Sequence, residues 1–195
     1  VLFELFGASW DEDPEHAPAR AFPAPERAVL GRLLAGGARA PFTSSAGRLF
    51  DAVAALAGLR QVCRYEGQAA MELEYAFDAR EDAPPYPFRV LEPAAAGAPA
   101  EMDWEPMLRA MLDDLRGGGG PGLLSARFHR TLAEMIVAAA RRAGRERVAL
   151  SGGCFQNRVL TELAMGRLRA EGFRPYGHQR VPPNDGGIAL GQAFI

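Results

Sequence analysis

The sequence predicts an α/β fold rich in helix, on two observations. The first is the stretch Arg147 to Leu168. There Val148-Ala149-Leu150 is a short apolar run suited to a strand buried on both faces, and Ser151-Gly152-Gly153 interrupts it. From Asn157 onward Val159, Leu160, Leu163, Met165 and Leu168 recur at roughly helical spacing. The second is that most other periodic segments repeat at helical rather than strand spacing, above all Ser125 to Arg142. Two adjacent glycines let a backbone turn sharply with no Cβ in the way. Strand, glycine turn and helix together aim backbone N–H groups at an anion. An ordinary αβ unit whose glycines only make a turn fits the same residues. No Gly-Lys-Ser/Thr follows the turn and no third spaced glycine, so it is neither a Walker loop nor a dinucleotide fingerprint.

Taken in order, Val1 to Phe6 is apolar and reads as the end of a helix closed by Gly7. Because the chain begins within that helix, it reads as a piece of something longer. Trp10 to Pro25 is acidic, contains proline and reads as a connection. Glu26 to Leu34 places Val29, Leu30, Leu33 and Leu34 on one helical face, stopped by Gly36-Gly37. Thr43-Ser44-Ser45 supplies N-cap candidates for a helix from Arg48 to Leu56. Asp51 lies amid its apolar residues and must face solvent, a partner or a ligand hydroxyl. Tyr65-Glu66-Gly67-Gln68 is a turn into a helix from Ala69 to Phe77, with Ala70, Leu73 and Phe77 inward. Gly67 either brings backbone close to a ligand or only enables the turn.

Residues 81–101 are rich in proline and alanine, with Tyr86 to Leu91 an edge-strand candidate. Trp104 to Leu115 reads as a helix, and Gly117 to Gly120 as a flexible linker after it. In the helix Ser125 to Arg142 the buried side is read as Phe128, Leu132, Met135, Ile136 and Ala139, with His129 a packing or surface residue. Gly172 to Tyr176 suggests another strand. The loop Val181-Pro182-Pro183-Asn184-Asp185-Gly186-Gly187 then leads into a last helix from Ile188 to Phe194. Asn184 and Asp185 suit a helix cap, and Asp185 equally suits one oxygen ligand of a hard cation.

Composition narrows the partners. At 195 residues the chain is one domain or two small ones, and its formal charge of −2 offers no basic excess for a nucleic-acid backbone. No apolar run approaches the roughly 20 residues of a membrane span, and the first residues form no signal peptide. The two cysteines, Cys63 and Cys154, lie too far apart in sequence to indicate a disulfide framework or a zinc motif. A reducing cytoplasm is the expected compartment.

Four motifs in order, TSSAGRLFDAVAALAGL (43–59), YEGQAAMELE (65–74), LSGGCFQNRVLTE (150–162) and VPPNDGGIALGQA (181–193), resemble the HypF-type hydrogenase-maturation carbamoyltransferases, over nearly the whole chain. The resemblance implies the C-terminal part of that family's last domain, a threonylcarbamoyltransferase-like domain with an actin-like ATPase (ribonuclease H-like) fold. It implies a mainly helical nucleotide-binding part at 1–116 and an α/β part at 117–195. It also implies an activity: ATP-dependent transfer of a carbamoyl group, made from carbamoyl phosphate, from carbamoyl-adenylate to the C-terminal cysteine of a HypE-type partner. By resemblance Asp51 falls at the nucleotide ribose, Gly67 in the adjoining loop, Gly152 and Gly153 at the phosphates, and Asn157 at the nucleotide. Asp185 falls at a divalent metal, Mg, Zn or Fe. The family's HxxxH metal pair and first phosphate loop do not occur in these residues, so an incomplete and inactive portion is expected. A covalent carbamoyl-cysteine at Cys154 lacks a neighbouring base. Two rivals stand beside this reading, a tRNA-modifying carbamoyltransferase and a non-catalytic nucleotide-binding or docking module.

Overall fold

The computed structural model describes residues 1–13, 15–36, 43–93, 95 and 97–194. Two compact units emerge, Val1–Ala76 with Leu112–Pro121, and Phe77–Met111 with Gly122–Ile195. This division interleaves along the chain, unlike the consecutive 1–116 and 117–195 organisation.

The described residues of the first unit are helical. α1 (Leu2–Phe6) ends where Gly7 takes φ 58. The segment expected to be a mere connection holds α2 (Ala17–Ala21), with proline in its first turn, where a missing N–H costs nothing. α3 (Ala24–Ala35) forms as read and ends at Gly36, while Gly37 lies outside the described residues. Its apolar face is not covered, however: Val29 and Leu33 are 46% and 49% exposed. Ser45 caps α4 (Ala46–Leu56), its hydroxyl accepting from the Arg48 N–H at 3.4 Å. Phe50, Val53 and Ala54 then fall at i, i+3 and i+4 and are buried. α5 (Gln68–Tyr75) packs on α4 and buries Ala69 and Leu73, whereas Ala70 is only half-buried and Phe77 lies beyond the helix end.

The Gly117–Gly120 run is ordered by backbone bonds rather than being a flexible linker. Gly117, Gly118 and Gly119 donate to the carbonyls of Asp113, Leu115 and Asp114 at 2.9, 3.0 and 2.8 Å, and Gly118 takes φ 83. These bonds close α6 (Glu105–Arg116) in the manner of a glycine C-cap.

In the second unit β1 (Arg89–Leu91) pairs antiparallel with β2 (Glu101–Asp103), Val90 opposite Met102. The strand is shorter than the six residues expected because Pro87 has no N–H to give a ladder, and Tyr86 turns inward instead. The proline-rich segment before it lies along α7 (Pro121–Ala143). The Thr131 hydroxyl accepts from the Tyr86 N–H at 2.7 Å, and the Arg127 side chain bonds the Pro84 carbonyl at 3.0 Å and lies over the Tyr86 ring.

β3 (Arg147–Leu150) and β4 (Arg174–Gly177) pair in parallel, Leu150 opposite Gly177, with α8 (Arg158–Ala170) between them in sequence. One core cluster joins Ala133, Val137 and Ala140 of α7, Leu150 of β3, and Ala164 and Leu168 of α8. Two expectations are corrected here. β3 is not buried on both faces: among the described residues its sheet has two strands, and Ala149 is exposed. On α7 Phe128, Leu132 and Met135 are buried as expected, but Ile136 is half-buried and Ala139 exposed, while Val137 and Ala140 are buried, so the stripe departs from the expected one only toward the helix end. α9 (Ile188–Gln192) follows a 3-10 turn at Asp185–Gly187. No described helix is long and apolar enough to cross a membrane.

Candidate functional site

The candidate residues fall in both units. In the first, Asp51 sits on α4 with its side chain 27% exposed, and its Oδ2 lies 3.1 Å from Arg48 Nη1 one turn back. Of the three roles open to it in sequence, the structure shows a partner on its own helix. Such an exposed pair contributes little to stability and leaves the carboxylate exchangeable. Gly67 precedes α5 with φ 77, so its turn requires glycine; no atom stands within 4 Å of where a Cβ would be. The loop is pinned from α5: Gln68 Oε1 accepts from the Arg64 N–H at 2.8 Å, and Arg60 grips both carboxylate oxygens of Glu72. That guanidinium holds the Glu72 carboxyl below the ordinary carboxylate range.

In the second unit an open cleft of about 280 Å³ lies beyond the carboxyl ends of β3 and β4, lined by Ser151, Gly152, His178, Pro183, Asp185 and Ile188 among others. Parallel strands deliver their following loops to one end of the sheet, and open α/β folds take ligands there. Gly152 has φ 108 and donates its N–H to the Pro183 carbonyl at 2.8 Å. The SGG and PPNDGG loops are thus joined, although about thirty residues separate them in sequence. That bond commits the Gly152 N–H within the fold. Gly153, by contrast, is exposed and has nothing within 4 Å of a would-be Cβ.

The helix does not start directly after the glycines, as the simple strand–turn–helix reading has it. A 3-10 turn at Gly153–Gln156 intervenes, and Asn157 then caps α8, its Oδ1 accepting from the Leu160 N–H at 2.8 Å. The Asn157 side chain is buried, and its Nδ2 donates to His129 Nε2 at 2.9 Å. Burial pushes the His129 imidazole down from 6.5 to about 4, so it is neutral at pH 7. Cys154 is half-buried in the 3-10 turn, and neither cysteine is in a disulfide.

Asp185 opens the 3-10 turn before α9 and is exposed at the cleft, while Asn184 does the capping, accepting from the Gly186 N–H at 3.0 Å. Among the described residues no three His, Cys, Asp or Glu side chains gather to hold a metal ion. Asp185 therefore fits a metal only as one ligand of a set.

Two features escaped the sequence reading. Ser151 Oγ and His178 Nε2 lie 2.9 Å apart at the cleft, each the first residue after a parallel strand. That shared position was a usable signal, because residues just past such strand ends are placed at the ligand end of the sheet. The burial of His129 gave no local signal, since its partner lies 28 residues away.

A glycine turn and a proline-containing loop, tied together at the carboxyl ends of parallel strands, line a cleft where open α/β folds take ligands. Residues 1–192 match the family described as "Carbamoyltransferase, Kae1-like Domain, second subdomain", and the chain belongs to that family. It is 42% identical over 181 residues to carbamoyltransferase HypF of Rhodobacter capsulatus, covering 90% of this chain and 22% of that protein. It is 38% identical over 154 residues to carbamoyltransferase HypF of Synechocystis sp., covering 79% and 19%. The crystal structure of full-length HypF in its phosphate- and nucleotide-bound form superposes with a TM-score of 0.81 at 33% identity, over 98% of this chain and 25% of that one. The chain thus spans about a quarter or less of these relatives. Its fold is the helix-rich α/β of the C-terminal lobe of the actin-like ATPase class.

Proposed function

We propose that this chain is the phosphate-side lobe of a carbamoyltransferase of [NiFe] hydrogenase maturation. The whole enzyme would use ATP and carbamoyl phosphate to form carbamoyl-adenylate, and pass the carbamoyl group to the C-terminal cysteine thiolate of a HypE-type partner. The observation that carries this reading is the Gly152–Pro183 bond, which fixes two family motifs against each other at one cleft. Its roles follow from the chemistry of a mixed anhydride. The Gly153 N–H, at the start of a helical turn, suits the adenylate phosphate. Asp51 presents a carboxylate able to accept from two ribose hydroxyls once Arg48 yields it, and the Gly67 turn leaves open space where a Cβ would stand. Asn157 acts by holding the turn rather than by free contact, since its oxygen and one amide hydrogen are engaged within the protein. Asp185 would contribute one ligand to a divalent ion, whose charge would favour the leaving phosphate when bound. Transfer then rests on positioning and electrostatics.

The test is a chimera in which this chain replaces the matched segment of the Rhodobacter capsulatus relative. With ATP, carbamoyl phosphate and a HypE-type acceptor, the account expects the acceptor to gain the mass of one carbamoyl group, and Asp185→Ala to abolish that gain. Binding of nucleotide with no acceptor modification would favour a docking module, and modification of tRNA in place of protein would favour the tRNA enzyme.

A further inference from the structure

We infer that His129 is a positioning residue: from α7 it fixes Asn157, and through Asn157 the conformation of the 3-10 turn that follows Gly152. The inference rests on reading that turn as the phosphate-holding loop.

Asn157 closes the 3-10 turn and opens α8, so one side chain governs both. Its amide can sit in only one sense. The Leu160 N–H at 2.8 Å demands the oxygen, which turns the NH2 toward His129 Nε2 at 2.9 Å. Nε2 must then offer its lone pair, which puts the ring proton on Nδ1, and Nδ1 lies 2.8 Å from the Ser125 carbonyl, an acceptor only. Cap, amide and tautomer therefore determine one another. The turn is tied at the same place by backbone and hydroxyl: the Asn157 N–H donates to the Cys154 carbonyl at 3.2 Å, and Thr161 Oγ1 donates to the carbonyls of Phe155 and Asn157 at 3.0 and 2.8 Å. The rings of Phe77 and Phe128 stand edge-on to the imidazole at 5.9 and 5.8 Å. In such surroundings an unmet amide N–H is costly. A leucine at 129 would fill the space and leave the Asn157 NH2 unanswered. A side chain needed only for packing has no use for a nitrogen there.

The test uses the full chain. In the unaltered protein, nitrogen NMR of the His129 ring should show the Nδ1–H tautomer at pH 7; the Nε2–H tautomer would overturn the inference without any variant. His129→Leu should speed amide exchange at Leu160 and across residues 153–157 by about tenfold or more, as expected when a buried hydrogen-bond partner is deleted. Exchange in α4 should not change. His129→Gln, whose carbonyl can accept from Asn157, should recover most of the protection. Wild-type protection in His129→Leu, or a glutamine no better than leucine, would overturn the inference. AMP as the probe separates this from the reading beneath it. If exchange behaves as expected but AMP never shifts the Gly153 amide in the chimera, the phosphate-loop reading falls and the positioning role stands.

Discussion

Two candidate regions, one in each compact unit, are held by opposite means. Around Asp51 and Gly67 the charged side chains are tied by ion pairs near the surface, Arg48 to Asp51 within α4 and Arg60 to Glu72 of α5, while α4 and α5 bury Val53 and Leu73. Around Gly153 the turn is fixed by neutral hydrogen bonds in the interior, Asn157 to His129 and His129 to Ser125. Ion pairs near the surface contribute little and exchange readily, so the first arrangement leaves its carboxylates free to change partner. Buried neutral bonds are costly to break singly, so the second holds its turn in one conformation.

The largest expected contrast is in acid. The folded pKa of His129 is depressed, from 6.5 to about 4. The unfolded chain therefore takes up its proton first as pH falls, and stability present above pH 6.5 is lost progressively down to about pH 4. Each tenfold change in proton affinity is worth about 1.4 kcal/mol, so the loss amounts to about 3 kcal/mol. Urea melts from pH 7.5 to 4 should show it, and His129→Gln should remove that component. A pH-independent midpoint over this range would contradict the buried network. Glu72, in the other unit, acts lower on the scale. Its carboxyl is depressed by Arg60, so its small contribution holds above the ordinary carboxylate range and fades only as pH falls through the lowered value.

Next in size, Asn157→Ala removes a helix cap and orphans the imidazole, and should cost about 1–3 kcal/mol in the same melts. Asn157→Asp keeps the capping oxygen but gives His129 no donor and places a negative charge beside it, so it should raise the histidine's pKa toward neutrality by NMR titration. An unmoved histidine would mean that the two side chains do not meet.

Smallest for the fold is Asp51→Ala, expected to change stability by under about 0.5 kcal/mol because the pair is exposed. In the chimera the same substitution should weaken adenine-nucleotide binding by roughly 1.5–3 kcal/mol, the loss of charged hydrogen bonds. Unchanged affinity by calorimetry would remove Asp51 from the site.

What could be read from sequence follows the range of the interactions. Ser45 and Asn157 are caps in contact with residues three ahead, and the glycines at 7, 67 and 152 take φ values that only glycine adopts freely, so turns and helices were legible locally. Faces were read less well. On α3 and α7 periodicity finds an apolar stripe, but which side is covered depends on what packs there: Leu33 stays exposed, and Ala140 rather than Ala139 turns inward. The tie between Gly152 and Pro183 and the pair His129–Asn157 join distant positions, and no local pattern marks them.

The account's central claim is that the Gly153 N–H receives the nucleotide phosphate, and Gly153→Val tests it most directly. Gly153 does not take a positive φ, and no atom lies within 4 Å of its would-be Cβ, so the fold should accept a side chain that a ligand would not. Calorimetry with AMP on the chimera, beside a thermal melt, is the measurement. The account predicts a melt close to wild type with affinity weakened about tenfold or more, and AMP binding unaffected in a folded Gly153→Val protein would contradict it.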